Sequence, residues 1–201
     1  MARSKDQQAR RAQLAQAAYR AVVERGVDGL RLKDIADQAG ITSAAVLYYY
    51  GSVDELIEEV YSRSMDRFIR LREEAAARHD DPRDQLRACI DEGIATGPDD
   101  EVARLLVELI PRSLRDPKVG EIDEELYDRQ EAIYQAVLER GAERGLFRLA
   151  DDAADLAAAF VALEDGFQLE VVAGRRTREY AVARLLVFAE AVTGCSLTRR
   201  P

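Results

Sequence analysis

The residues of this chain best suited to chemistry are binders of charge rather than catalysts. Within 32–56, LKDIADQAGITSAAVLYYYGSVDEL, Lys33 can reach a phosphate. Tyr48 and Tyr49 carry phenolic O–H groups that can donate to phosphate oxygens, contacts that fix register without reading sequence. A second set lies far along the chain. Tyr127 and Tyr134 are seven residues apart and share one helical face, and Glu164 and Asp165 sit inside an apolar run. A buried carboxylate needs a partner, and acids beside aromatic faces suit a cationic amine held partly by cation–π contact. The plainer reading pairs Glu164 and Asp165 with arginine at the dimer interface or turns them to solvent. No catalytic set assembles: the single histidine, His79, falls in a predicted loop. There is no Cys/His metal spacing, no phosphate-cradling glycine loop and no Ser/His/Asp set, so neither enzyme activity, metal nor cofactor is expected.

The elements that position these groups are helices. Leu32, Ile35, Ala36 and Ala39, then Ile41 and Val46, keep helical spacing on both sides of one break. Gly40 stands where the first helix must stop, because a left-handed backbone costs glycine little. Thr42 or Ser43 can cap the second helix by accepting a backbone N–H, and Ser52 with Glu55 matches the S-x-x-E capping box of a further helix. Two helices joined by so short a turn form the geometry that lays the second helix in a major groove. Elsewhere the pattern predicts helices over about 6–25, 52–77, 82–96, 99–114, 118–144, 152–173 and 177–193. Asp81-Pro82 and Asp116-Pro117 act as cap-and-proline starts. The fold class expected is all-α, about nine helices: a three-helix helix-turn-helix domain over 1–51, then a helical ligand-binding and dimerisation bundle over 52–201.

Composition agrees. Hydrophobic residues make up 47% of 201, which argues against disorder, and 5 prolines leave helices largely uninterrupted. The longest apolar run, Leu156–Leu163, is far too short to span a membrane, the start lacks a signal-peptide core, and two cysteines cannot form a disulfide framework. A cytoplasmic protein is expected. The net charge of −9 hides an asymmetry: residues 1–50 hold 8 Lys and Arg against 5 Asp and Glu, while the remainder is strongly acidic. Arg3, Lys5, Arg10 and Arg11 concentrate that excess into a basic arm that can order on DNA. The last two helices are apolar nearly all round, so each must be buried on several sides. Leu156, Phe160, Leu163 and Phe167, with Leu185, Phe188 and Val192, are the expected dimer interface; the plainer reading makes these two helices the central core of a monomer.

The run from Gly40-Ile41-Thr42 through Val46-Leu47-Tyr48-Tyr49-Tyr50 to Gly51-Ser52 resembles the DNA-binding domain of the TetR family of bacterial transcriptional regulators. The resemblance covers about the first 60 residues. It implies that Thr42, Ser43, Ala44, Ala45, Leu47 and Tyr48 face the groove while Val46 and Tyr50 turn inward. It also implies a homodimer joined through its last two helices, and repression of a double-stranded DNA operator relieved by a small-molecule inducer. Leu47 stands where many members carry Tyr or Phe, Tyr49 where His is common, and Gly51 and Val53 where Lys is common. Fewer cations release fewer counterions, so affinity and its salt dependence should be modest. The recognition helix lacks Arg, Asn and Gln, leaving sequence reading to small-residue contacts with thymine methyls or to the arm. The alternative is a dimeric helical interaction module that has lost DNA binding.

Overall fold

The computed structural model describes residues 2–27 and 29–197, and of residues 2–6 only the backbone. Nine helices and no strand occur among the described residues: α1 (Ala2–Arg25), α2 (Leu32–Ala39), α3 (Ser43–Tyr49), α4 (Val53–Ala77), α5 (Pro82–Gly93), α6 (Glu101–Ser113), α7 (Pro117–Glu143), α8 (Ala153–Val172) and α9 (Arg178–Thr193). The all-α class follows from the sequence; two boundaries do not. α1 continues through 2–6 rather than starting near residue 6, so the backbone of Arg3 and Lys5 is helical like that of Arg10 and Arg11, not a loose arm. α5 stops at Gly93 because Ile94 turns extended and Ala95 N–H bonds Gln168 Oε1 at 2.8 Å.

Packing divides the chain into two compact units. One is Met1–Asp66 with Arg104–Ile122, the other Arg67–Ala103 with Asp123–Pro201. In the first, Leu14, Ala18, Ala21 and Val22 of α1 and Ile35, Ala36, Val46 and Tyr50 of α2 and α3 are buried, together with Leu56 and Val60 of α4. The segment Arg104–Ile122 joins this unit through polar contacts. Glu108 accepts the Val27 N–H at 3.0 Å, and Arg112 bonds Asp54 at 2.7 Å.

The second unit is a bundle whose core runs from Leu86, Ile90 and Tyr134 through Leu156, Phe160 and Leu185. This corrects part of the expected interface. Leu156, Phe160 and Leu185 are buried within the protomer, where Phe160 stacks on Tyr134 at 4.7 Å and meets Phe188 edge-on at 4.9 Å. They are unavailable to a second subunit. Phe167, Phe188 and Val192 are only partly buried and Leu163 is exposed. Beside Leu163 on the outer faces stand Ala162, Gly166 and Leu169 of α8 and Tyr180, Ala183 and Val187 of α9, the last 54% exposed. A helix apolar all round divides its faces between its own core and the outside, and here Phe160 went inward while Tyr180 stayed out.

Candidate nucleic-acid interface and ligand-binding body

The recognition element is built by local backbone chemistry. Gly40 adopts φ 65°, and the Ile41 N–H bonds back to Ala36 O at 3.0 Å, ending α2 and redirecting the chain. Thr42 starts α3: its Oγ1 accepts the Ala45 N–H at 3.2 Å. At the far end Ser52 Oγ accepts the Glu55 N–H at 3.0 Å, while Glu55 Oε2 accepts the Gly51 N–H at 2.8 Å. That N–H, followed by Arg11, holds the Glu55 carboxyl below its ordinary range. Between the two caps Val46 and Tyr50 are buried. The outer face carries Ala44, Leu47 at 43% and Tyr48 at 70% exposure, with Thr42 exposed and Ser43, Ala45 and Tyr49 partly so. Lys33 is exposed on α2. The Tyr48 and Tyr49 rings meet edge-on at 5.1 Å. Such a surface can offer hydroxyl donors and small apolar contacts to a groove.

The basic arm changes in character. Arg11 is committed to the head itself: Nη1 bonds Tyr49 O at 2.9 Å, Nη2 bonds Glu55 at 3.1 Å, and the guanidinium lies 4.1 Å from the Tyr50 ring centre. The Tyr50 hydroxyl returns a bond to Arg11 O at 3.0 Å. Arg11 therefore clamps the C-terminal end of α3 instead of offering a free charge to phosphate. Arg10 bonds Gln13 at 2.9 Å on the exposed side of α1. The side chains of Arg3 and Lys5 lie outside the described residues.

In the body, the expected pocket residues come together as two bonded pairs, Tyr134 with Glu164 and Tyr127 with Asp165. Glu164 is buried and binds Arg72 of α4 at 2.9 Å, and it also accepts from the buried Tyr134 hydroxyl. Burial pushes the Tyr134 phenol well above its ordinary range, so it stays a donor. Tyr127 donates to Asp165 at 2.5 Å. Both acids are thus bonded within the protomer, Glu164 to Arg72 of α4 and Asp165 to Tyr127, rather than to an arginine at a dimer interface. Two cavities open elsewhere in this unit. One, of about 350 Å³, is lined by Phe68, Leu71, Ile94, Val102 and Gln168 among others, and by Asp91 and Asp100. Those acids are also occupied: Arg178 sits 3.5 Å from Asp91, and Asp100 caps α6 by accepting the Ala103 N–H at 3.1 Å. The other, a groove of about 580 Å³, is lined by Ala76, Gln85, Arg129, Ile133, Ala136 and Arg140 with their neighbours. Tyr127, Tyr134, Glu164 and Asp165 line neither.

Sequence reasoning missed Arg11 as a clamp, Arg72 as the partner of Glu164, and Gly93, whose bare Cα lets the pair pass. Only the buried acid was a signal, because it announces an unseen cation. Among the described residues no helix is long and apolar enough to cross a membrane.

Comparison with known proteins agrees with this architecture. The family model of the tetR family of bacterial regulatory proteins matches residues 14–60, and that of the BetI-type transcriptional repressor C-terminal domain matches residues 82–194. The regulator BetI of Stenotrophomonas maltophilia is 38% identical over 87 residues, 41% of this chain and 42% of that one. PksA of Bacillus subtilis is 38% identical over 52 residues, 26% of this chain and 25% of its own. The matched stretch thus spans less than half the length of these curated relatives. Solved structures match more of the fold. A TetR regulator of Haloarcula marismortui has a TM-score of 0.83 at 24% identity, covering 94% of this chain and 99% of that one. A transcriptional regulator of Saccharomonospora viridis solved in complex with choline has a TM-score of 0.83 at 23% identity, covering 91% and 96%. With family models matching its head and more than half of its length, this chain belongs to the TetR family of helix-turn-helix transcriptional regulators, DNA-binding proteins without enzymatic activity.

Proposed function

We propose that this protein is a cytoplasmic, homodimeric repressor that binds a pseudo-palindromic DNA operator and leaves it when a small molecule binds the body. The observation that carries the reading is the Thr42-capped α3, anchored by Val46 and Tyr50 and presenting Ala44, Leu47 and Tyr48 outward. Ala44 and Leu47 would contact base edges, Tyr48 and Lys33 the phosphates, with Thr42, Ser43, Ala45 and Tyr49 at the margin. Residues 1–51 would read DNA and 52–201 would bind ligand and dimerise, and the packing of Arg104–Ile122 with the head ties α6 to the reading domain. The outer faces of α8 and α9, through Leu163, Leu169 and Val187 with the partly buried Phe167, Phe188 and Val192, would join two copies. Their recognition helices would then enter grooves about 34–36 Å apart or a multiple of it. The ligand would act by favouring a dimer whose heads are spaced wrongly for the operator.

A cationic amine is one class of ligand to weigh, since a neighbour of similar fold was solved with choline. Against it, Glu164 and Asp165 are already bonded to Arg72 and Tyr127. The cavity of about 350 Å³ beside Phe68 is the better seat for a ligand body.

A gel shift against the DNA upstream of the protein's own gene, at low and moderate salt, tests the regulator. Binding that weakens in Tyr48→Ala and Lys33→Ala is expected. Absence of binding at every salt concentration favours the interaction module, a second reading supported by the commitment of Arg11 to the head rather than to phosphate.

A further inference from the structure

One side chain in the wall of the cavity beside Phe68 is buried and only half used. Gln168 of α8 is 7% exposed and lines that cavity directly. Its Oε1 accepts the Ala95 N–H at 2.8 Å, where the chain leaves α5. A backbone N–H only donates, so this bond fixes which end of the amide is oxygen. The other end, Nε2, has no hydrogen-bond partner among the described residues. The enclosed side-chain nitrogens without a partner among those residues belong to Arg72 and Arg87. Gln168 Nε2 is not one of them, so a molecule entering from outside can reach it. A donor group on so deeply buried a side chain needs an acceptor.

The rest of the wall decides what can carry that acceptor. Phe68, Leu71, Ile94 and Val102 give it an apolar side. Asp100 is spent on the Thr96 N–H and hydroxyl and on the Ala103 N–H. Asp91 stands 3.5 Å from Arg178, which also donates to its backbone oxygen at 2.7 Å. The Phe68 ring already holds the Arg72 guanidinium at 4.9 Å. An ammonium thus meets paired acids and a ring that has a cation, while Glu92, the remaining acid, is exposed to water. A carboxylate would enter beside Asp91, Glu92 and Asp100, against Arg178 and a solvent-exposed Arg67. An uncharged oxygen meets Gln168 Nε2 without leaving a charge unpaired.

We propose that this cavity takes an uncharged, mainly apolar molecule with one hydrogen-bond acceptor oxygen, which Gln168 Nε2 recognises while the Phe68 and Leu71 side holds the apolar part. The cavity, about 350 Å³, lies at the small end of ligand pockets, which run from about 300 to 1,000 Å³, so a single ring or a short chain fits. Its regulatory meaning rests on the ligand-responsive reading above.

Four probes separate the classes. Acetophenone and α-methylstyrene share a shape, but the second carries a CH2 group where the first has its oxygen. Benzoate and benzyltrimethylammonium add the two charges. Each is titrated into the full chain and read by thermal unfolding and by NMR of the side-chain amides. At ten times its Kd a ligand raises the folded-to-unfolded ratio about elevenfold. Acetophenone is expected to bind at least about threefold tighter than α-methylstyrene, and tighter than either charged probe. It should also move the Gln168 Nε2 proton signals downfield, as a new hydrogen bond does. Gln168→Met keeps the side-chain length, identifies those signals by their loss, and should erase the advantage of acetophenone over α-methylstyrene. Should that variant fail to fold, the downfield shift in the unaltered chain still decides. Equal binding of acetophenone and α-methylstyrene, tighter binding of a charged probe, unmoved Gln168 signals, an advantage that survives in folded Gln168→Met, or no response to acetophenone would each overturn the proposal. A charged probe that binds and releases DNA would leave ligand response standing. Acetophenone bound through Gln168, with no small molecule altering DNA affinity, would keep the site and remove ligand response.

Discussion

The head and the body each spend an arginine on the same kind of contact, and solvent makes the outcomes differ. Arg11 lies over Tyr50 and pairs with Glu55, and Arg72 lies over Phe68 and Tyr134 and pairs with Glu164. The Arg11 side chain keeps 36% of its surface and its partner 43%, whereas Arg72 and Glu164 keep 0% and 3%. Water screens the first pair, so its loss is cheap and its purpose is geometric: it pins the carbonyl of Tyr49 at the end of α3. The second pair has no water to fall back on, and each charge depends on the other. One arrangement fixes the end of α3; the other ties α4 to α8 inside the body.

The sharpest test of that contrast removes the two cations. Arg72→Met leaves Glu164 buried and bare and should cost about 3–5 kcal/mol, read from chemical denaturation. Adding Glu164→Leu should recover most of it. Arg11→Met should cost about 0.2–1 kcal/mol and lose even that at high salt. Equal costs for the two single variants would erase the distinction. Next in size is Gly93→Ala. At the end of a helix alanine normally gains up to about 1 kcal/mol over glycine. Here its Cβ collides with Glu164 and Arg72, so a net loss of about 1–3 kcal/mol is expected. A neutral or stabilising result would mean the buried pair has room to shift.

The same contrast explains what could be read from sequence. Gly40, Thr42, Ser52 and Glu55 act on backbone groups within a few residues, so spacing and residue type suffice to place them. Val46 and Tyr50 likewise follow from helical period. Glu164 could be flagged as a buried acid, yet its partner stands 92 positions earlier, and no periodicity chooses Arg72 among the arginines of α4. The assignment of Leu156, Phe160 and Leu185 to a dimer face failed for a related reason. Apolarity shows that a surface is buried but not by which chain, and their partners in α7, such as Tyr134, are set by long-range packing.

The smallest expected effect is the most diagnostic, because the two acids shift in opposite directions. Glu55 is held below its ordinary range by the Gly51 N–H and then Arg11, so folding favours its charged form. Its contribution is complete above the unfolded value of about 4.3 and is lost as pH falls through its lowered folded value. Glu164 is raised, chiefly by burial and against the pull of Arg72. Its proton-linked contribution is complete below about 4.3 and is lost as pH rises through the raised folded value. Carboxyl-carbon NMR titration of the folded chain should therefore show Glu55 titrating below free glutamate and Glu164 above it. Over the same acid range, hydrogen exchange at Gly51 should lose protection before exchange in the Glu164 turn of α8 does. Two glutamates titrating together at the free value would mean that exposure does not separate the clamp of the head from the buried pair of the body.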